Sequence, residues 1–133
     1  MIHYGIFVNN NYPFASCIVR GLKTIETRNR NMLKRLVGKR VAIVRTETGE
    51  PTEIIGYVTI TEAWHCSQED FQLYEMFHLV PAGSKYDAGK NGKWMYDLED
   101  ARIALRRLQL PADTIRHGMS WVEFPTGIKE EDI

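Results

Sequence analysis

The run over residues 52–65 constrains this chain more than any other stretch. It is rich in β-branched residues and carries Gly56 in its interior, where a bulge or the close approach of another backbone is expected. Residues 39–46 alternate around Val41, Ile43 and Arg45, and Thr48-Gly49-Glu50-Pro51 between the two runs has the Gly and Pro of a turn. The runs should therefore pair antiparallel. Further strands are expected over residues 2–8, 23–28 and 119–124 and from Trp94 onward, with one early helix. Strands spaced this regularly suggest an α+β fold rather than alternating βαβ units. The expected form is a small mixed barrel or curled sheet of about five to six strands, flanked by two or three helices.

The early helix leads into the densest chemistry in the chain. Asn11-Tyr12-Pro13-Phe14 offers an Asn cap and a Pro near the first turn. Phe14, Cys17, Ile18 and Gly21 follow at helical spacing, and Gly21 suits the left-handed position past a helix end. From Thr24 the period changes to that of a half-buried strand. Glu26 and Arg28 then share a face with Thr24, while Ile25 and Thr27 take the other. Lys23 stands at the corner. A carboxylate flanked by two cations can hold a polar planar group, accepting N–H from a base or amide and donating to carbonyl or phosphate oxygens.

The rest of the chain narrows the options. At 133 residues it is expected to form one domain over 1–126, followed by a flexible acidic tail over 127–133. The 17 basic and 17 acidic residues cancel, which argues against tight non-specific binding of long duplex DNA or other long nucleic acid. The first residues lack a basic leader, and no apolar run reaches membrane-spanning length. Cys17 and Cys66 lie far apart without C-x-x-C spacing. A cytoplasmic protein with no membrane partner is the expectation. His65 and Cys66 are adjacent, but spacing ties none of His3, His78 and His117 to them, so neither a metal nor another cofactor is expected.

Three segments carry two readings each. Residues 29–40 gather Arg30, Lys34, Arg35, Lys39 and Arg40, either a phosphate-facing patch or a solvated loop. Ser67 should cap a helix whose Phe71, Tyr74 and Phe77 form a stripe toward the core. Residues 81–93 are rich in Gly and Lys. Their glycines are spaced one residue too far for a P-loop, and Asn91 stands where Ser or Thr should be, so a substrate-facing loop or plain disorder is left. Residues 98–110 have helix-forming composition, whereas Trp94, Tyr96 and Leu98 alternate; a strand is expected through about Arg102.

Gly21, Lys23, Glu26 and Arg28, in the order G-x-K-x-x-E-x-R after a short helix, resemble the motif of the ASCH domain, a member of the PUA-like superfamily. The likeness extends to Ile55-Gly56-Tyr57-Val58-Thr59-Ile60, Lys93-Trp94-Met95-Tyr96-Asp97-Leu98 and Gly118-Met119-Ser120-Trp121-Val122 as later strands. It implies a PUA-like barrel that binds RNA or a modified nucleoside. Lys23, Glu26 and Arg28 would line the groove, and Trp94 or Tyr96 would stack on a base. Some small bacterial ASCH proteins are amidohydrolases acting on N(4)-acetylcytidine. That implies a catalytic Lys at Lys23, a Thr three residues later and a Glu from elsewhere. Here the later position holds Glu26, leaving Thr24 as the substitute hydroxyl and Glu69 as the candidate distant carboxylate. In a third reading, Lys23, Glu26 and Arg28 only brace the helix against the sheet.

Overall fold

Seven strands form one mixed sheet, ordered β2-β5-β4-β3-β1-β7-β6, and its central strands are buried on both faces. The computed structural model describes residues 1–132. The strands are β1 (Ile2–Asn9), β2 (Ile25–Arg28), β3 (Arg40–Thr46), β4 (Glu53–Cys66), β5 (Lys93–Gln109), β6 (Ile115–His117) and β7 (Trp121–Ile128). The helices are short: α1 (Phe14–Val19), α2 (Gln68–Phe71) and α3 (Glu75–His78). β1 and β3 run parallel and the other neighbours antiparallel. The α+β class and the mixed sheet are as the sequence indicates. The strands number seven rather than five or six, and the two end strands β2 and β6 do not pair, so the sheet is open.

Each face of the sheet has its own apolar cluster. On one, α1 lies over β3, β4 and β5 and packs Ile18 and Val19 among Ile6, Ile43, Val58 and Met95. The other, with Val44, Ile54, Val122 and Phe124, is built almost wholly from strand residues. The sheet therefore covers that face by its own curvature. Gly56 lies where β4 slips register against both its neighbours. A Cβ there would meet the Arg102 carbonyl and, at 2.6 Å, the Val19 side chain.

β5 corrects the expectation for residues 99–110. The strand does not stop near Arg102 but runs to Gln109, paired with β4 from Cys66↔Lys93 to Glu53↔Gln109. Cross-strand bonding overrides helix-forming composition here, and register shifts together with Asp100 at φ 53° bend the long strand. On its outer side β5 meets β2 only from Trp94 to Asp97.

The flexible tail placed over 127–133 is corrected as well. Gly127 and Ile128 complete β7, where Ile128 is buried opposite Ile2. Glu130 pairs with Arg40 at 2.7 Å, and its carbonyl accepts from the Tyr57 hydroxyl at 3.0 Å. Ile133 lies outside the described residues. Among those described, no helix is long and apolar enough to cross a membrane.

Candidate functional site

The site starts at the end of α1. Asn10, not Asn11, supports the helix start, its side-chain oxygen accepting from the Ser16 N–H at 3.0 Å. Asn11 accepts instead from the Thr48 N–H. Gly21 closes the helix with φ 74°, as expected, and the Leu22 and Lys23 N–H groups return to the Cys17 carbonyl. This fold-back turns Lys23 inward, where only 1% of it is exposed.

The Lys23 ammonium donates to the His78 carbonyl, lies 3.7 Å from Glu26 Oε1 and sits 4.7 Å from the centroid of the Phe14 ring. Burial pushes the Lys23 pKa below the ordinary lysine value, outweighing the opposing pull of Glu26. Glu26 Oε2 accepts from Arg28 Nη2 at 3.0 Å, and Nη2 also donates to the Phe7 carbonyl at 2.6 Å. Two ion pairs thus meet on one carboxylate, as a brace would require. The same three side chains also border a cavity of about 380 Å³, within the range of small-ligand sites.

The remaining walls come from distant segments. Lys93, at the start of β5, is buried and also held below the ordinary lysine pKa by that burial. Phe14 and Tyr86 form an aromatic side, edge to face with centroids 5.4 Å apart. Asn9 borders the cavity and donates to the Tyr86 hydroxyl. The loop over 81–93 has fixed partners. The Asp87 carboxylate accepts from the Gly83 and Ala88 N–H groups and from Gln72, and these bonds hold its pKa below the usual carboxylate range. This anchoring sets Tyr86 at the cavity wall.

Of the residues expected at the site, Lys23, Glu26 and Arg28 come together and the others do not. Thr24 borders a separate, shallower depression with Ile25, Trp64, Tyr74 and Phe77. Its neighbour Lys23 turns the opposite way, so Thr24 supplies no hydroxyl to the cavity. Tyr96 is not a stacking surface: its ring is wholly buried, and its hydroxyl donates to Asn31 Oδ1 at 2.8 Å and accepts from the Leu33 N–H. Trp94 is half-buried, meets His65 at 5.3 Å and does not line the cavity. Glu69 is exposed on α2, away from it.

Arg30, Lys34 and Arg35 are solvent-exposed, and from their segment only Asn29 and Met32 reach the cavity. Sequence reasoning missed Phe14, Tyr86 and Lys93 as cavity residues. The Gly- and Lys-rich composition around the last two was the available signal.

No protein-family model matches the chain, and no curated protein does. Among solved structures it is similar to an ASCH protein from Zymomonas mobilis. The likeness has 22% identity over 80% of this chain and 73% of that one, with a TM-score of 0.67. Two single-residue variants of the same protein align more fully. Both give a TM-score of 0.72 over 97% of this chain, at 20% and 21% identity, covering 90% and 92% of theirs. The architecture is that of an α+β domain with one mixed sheet. Within that class, the chain has the fold of these ASCH structures.

Proposed function

We propose that this chain is an ASCH-domain binding protein whose cavity takes a nucleoside, free or at an unpaired position of RNA. The observation that supports it best is the convergence of Lys23, Glu26 and Arg28 on one cavity of about 380 Å³ with an aromatic side. Such a space suits a base and its sugar, not a duplex. Phe14 and Tyr86 offer apolar contact to a planar ring. Glu26 accepts from an exocyclic amine, and Arg28 donates to a carbonyl or phosphate oxygen. Recognition of this kind suits single-stranded RNA, whose bases can be splayed out.

A thermal-shift screen of plain and modified nucleosides tests the reading. A ligand that binds the native state raises the melting temperature by mass action, and Arg28→Ala should remove the shift. No shift with any nucleoside, together with no salt-dependent affinity for short single-stranded RNA, would count against it.

One observation favours an amidohydrolase as the second reading: Lys23 is buried with a lowered pKa, which makes it easier to deprotonate. Thr24 and Glu69 lie off the cavity, so Glu26 would have to activate the water. Release of free cytidine from N(4)-acetylcytidine at catalytic enzyme concentrations, abolished in Lys23→Ala, would select this reading.

A further inference from the structure

The cavity's charges do not balance. Lys23, Arg28 and Lys93 line it against the single carboxylate of Glu26, a formal excess of two positive charges. Lys23 and Arg28 have protein partners. Lys93 is only 4% exposed, yet among the described residues its ammonium has no hydrogen bond or ion pair. The carboxylates that influence it are Glu26 and Asp87. Both are engaged elsewhere, Glu26 by Arg28 and Lys23, and Asp87 by Gly83, Ala88 and Gln72. The side chain is mostly buried but lines the cavity, so an anion entering from the open side can give the ammonium the partner that the protein does not supply.

We infer that the ligand carries a phosphomonoester, which seats against Lys93 and Arg28 while the rest of the ligand lies along Phe14 and Tyr86. A phosphomonoester at neutral pH carries about −1.5 to −2 and so matches the excess, whereas a carboxylate would leave one cation uncompensated. The three oxygens of the group can also accept from both side chains at once. This deepens the reading of the cavity as a nucleoside site: the preferred ligand is a nucleotide or a phosphorylated RNA end. Lys93 then sets the preference for the phosphorylated form.

The test uses inorganic phosphate alone as the first probe, so that it does not depend on which base is bound. Melting temperatures are measured in phosphate and in chloride at equal ionic strength, for the wild type and for Lys93→Met. Methionine keeps much of the stem volume and deletes the charge. The wild type should melt higher in phosphate than in chloride, by a margin that grows with phosphate concentration, and Lys93→Met should keep only the smaller rise that phosphate gives any folded protein. In chloride Lys93→Met should melt no lower than the wild type, because it loses a cation that had no partner.

Equal melting in the two salts for the wild type, or an undiminished phosphate response in Lys93→Met, overturns the inference. So does a variant less stable in chloride, which would mean that Lys93 has a protein partner. A phosphate response that depends on Lys93, without any nucleoside response, would uphold the anion site and count against the nucleoside reading, so the two fail separately. A mononucleotide and a 5′-phosphorylated oligoribonucleotide then distinguish the source of the phosphate. The group should strengthen binding of its carrier at least tenfold over the unphosphorylated form, and less than twofold in Lys93→Met.

Discussion

The ammonium of Lys23 donates to the carbonyl of His78, 55 positions further along the chain. The ring of His78 is locked in turn. Its Nδ1 accepts from the Val80 N–H at 2.9 Å, its Nε2 donates to the Phe71 carbonyl at 2.9 Å, and it stacks on the Phe71 ring at 4.1 Å. The corner that presents the charged motif is therefore fastened to the end of α3 through a neutral, buried histidine.

Acid should release that fastening. Burial lowers the His78 pKa, and protonation would place a hydrogen on the nitrogen that accepts from Val80. With the folded pKa below the unfolded one, the unfolded chain binds more protons between the two values, so stability falls as pH drops through that window. The fall should begin near pH ~6.5, the ordinary histidine value, with a slope of at most about 1.4 kcal/mol per pH unit. Urea denaturation between pH 7 and pH 5 measures it, and His78→Gln should flatten the slope.

Glu26→Gln should destabilise the fold without changing its shape. The substitution leaves Arg28 and Lys23 without the carboxylate they share and places three cations around one cavity. Removing one partner of a buried ion pair costs about 3 kcal/mol or more when burial is complete, and somewhat less at this partly open cavity. Added salt should recover part of the loss by screening the repulsion. Denaturation at low and high ionic strength would show both effects; equal stability in the two proteins would mean that the carboxylate is solvated in the native state.

Two tyrosines should separate binding from stability. Tyr96→Phe deletes the hydroxyl that accepts from the buried Leu33 N–H, at a cost of about 1–3 kcal/mol, and leaves the cavity unchanged. Tyr86→Ala removes part of the cavity wall. Nucleoside affinity should drop severalfold in Tyr86→Ala and hold in Tyr96→Phe, as read by calorimetric titration. The reverse order would place the stacking surface on β5.

Gly56→Ala should be among the most damaging small substitutions in the sheet. The added methyl meets both the Arg102 carbonyl and the Val19 side chain, so β4 must move away from either β5 or α1. Overpacking of this kind costs about 1–3 kcal/mol, and a backbone obstacle puts this site at the upper end. A melting temperature within a degree of the wild type would mean that the bulge yields freely.

Gly56 and Gly21 also show how much was legible in the sequence. A glycine inside a β-branched run announces a bulge or a close approach, and a glycine after a helical stripe announces a left-handed end; the structure has both. Ser67 likewise accepts from the Asp70 N–H as a cap should. These are local properties. The three charged residues of the motif were also legible, because eight consecutive residues hold them on one corner.

Lys93, Tyr86 and Phe14 were not legible as their companions. They reach the cavity only because β5 pairs with β2 and the 81–93 loop folds back over α1, and no spacing along the chain encodes that meeting. Tyr96 fails for a related reason. Alternation shows which face a side chain takes, but not that residues 30–33 will cover it.

The brevity of β2 leaves a cost on β5. Past Leu98, whose N–H still donates to the Thr24 carbonyl, the outer margin of that strand has no partner strand among the described residues, and Ile103 and Leu105 stand exposed along it. A bare margin of this kind invites strand addition from another molecule and, in the end, fibrous aggregation. Arg102, Arg106 and Arg107 crowd the same segment with like charge, and the kink at Asp100 spoils its straightness. On this view the arginines are gatekeepers: neutralising them should cost little in folding free energy and much in solubility.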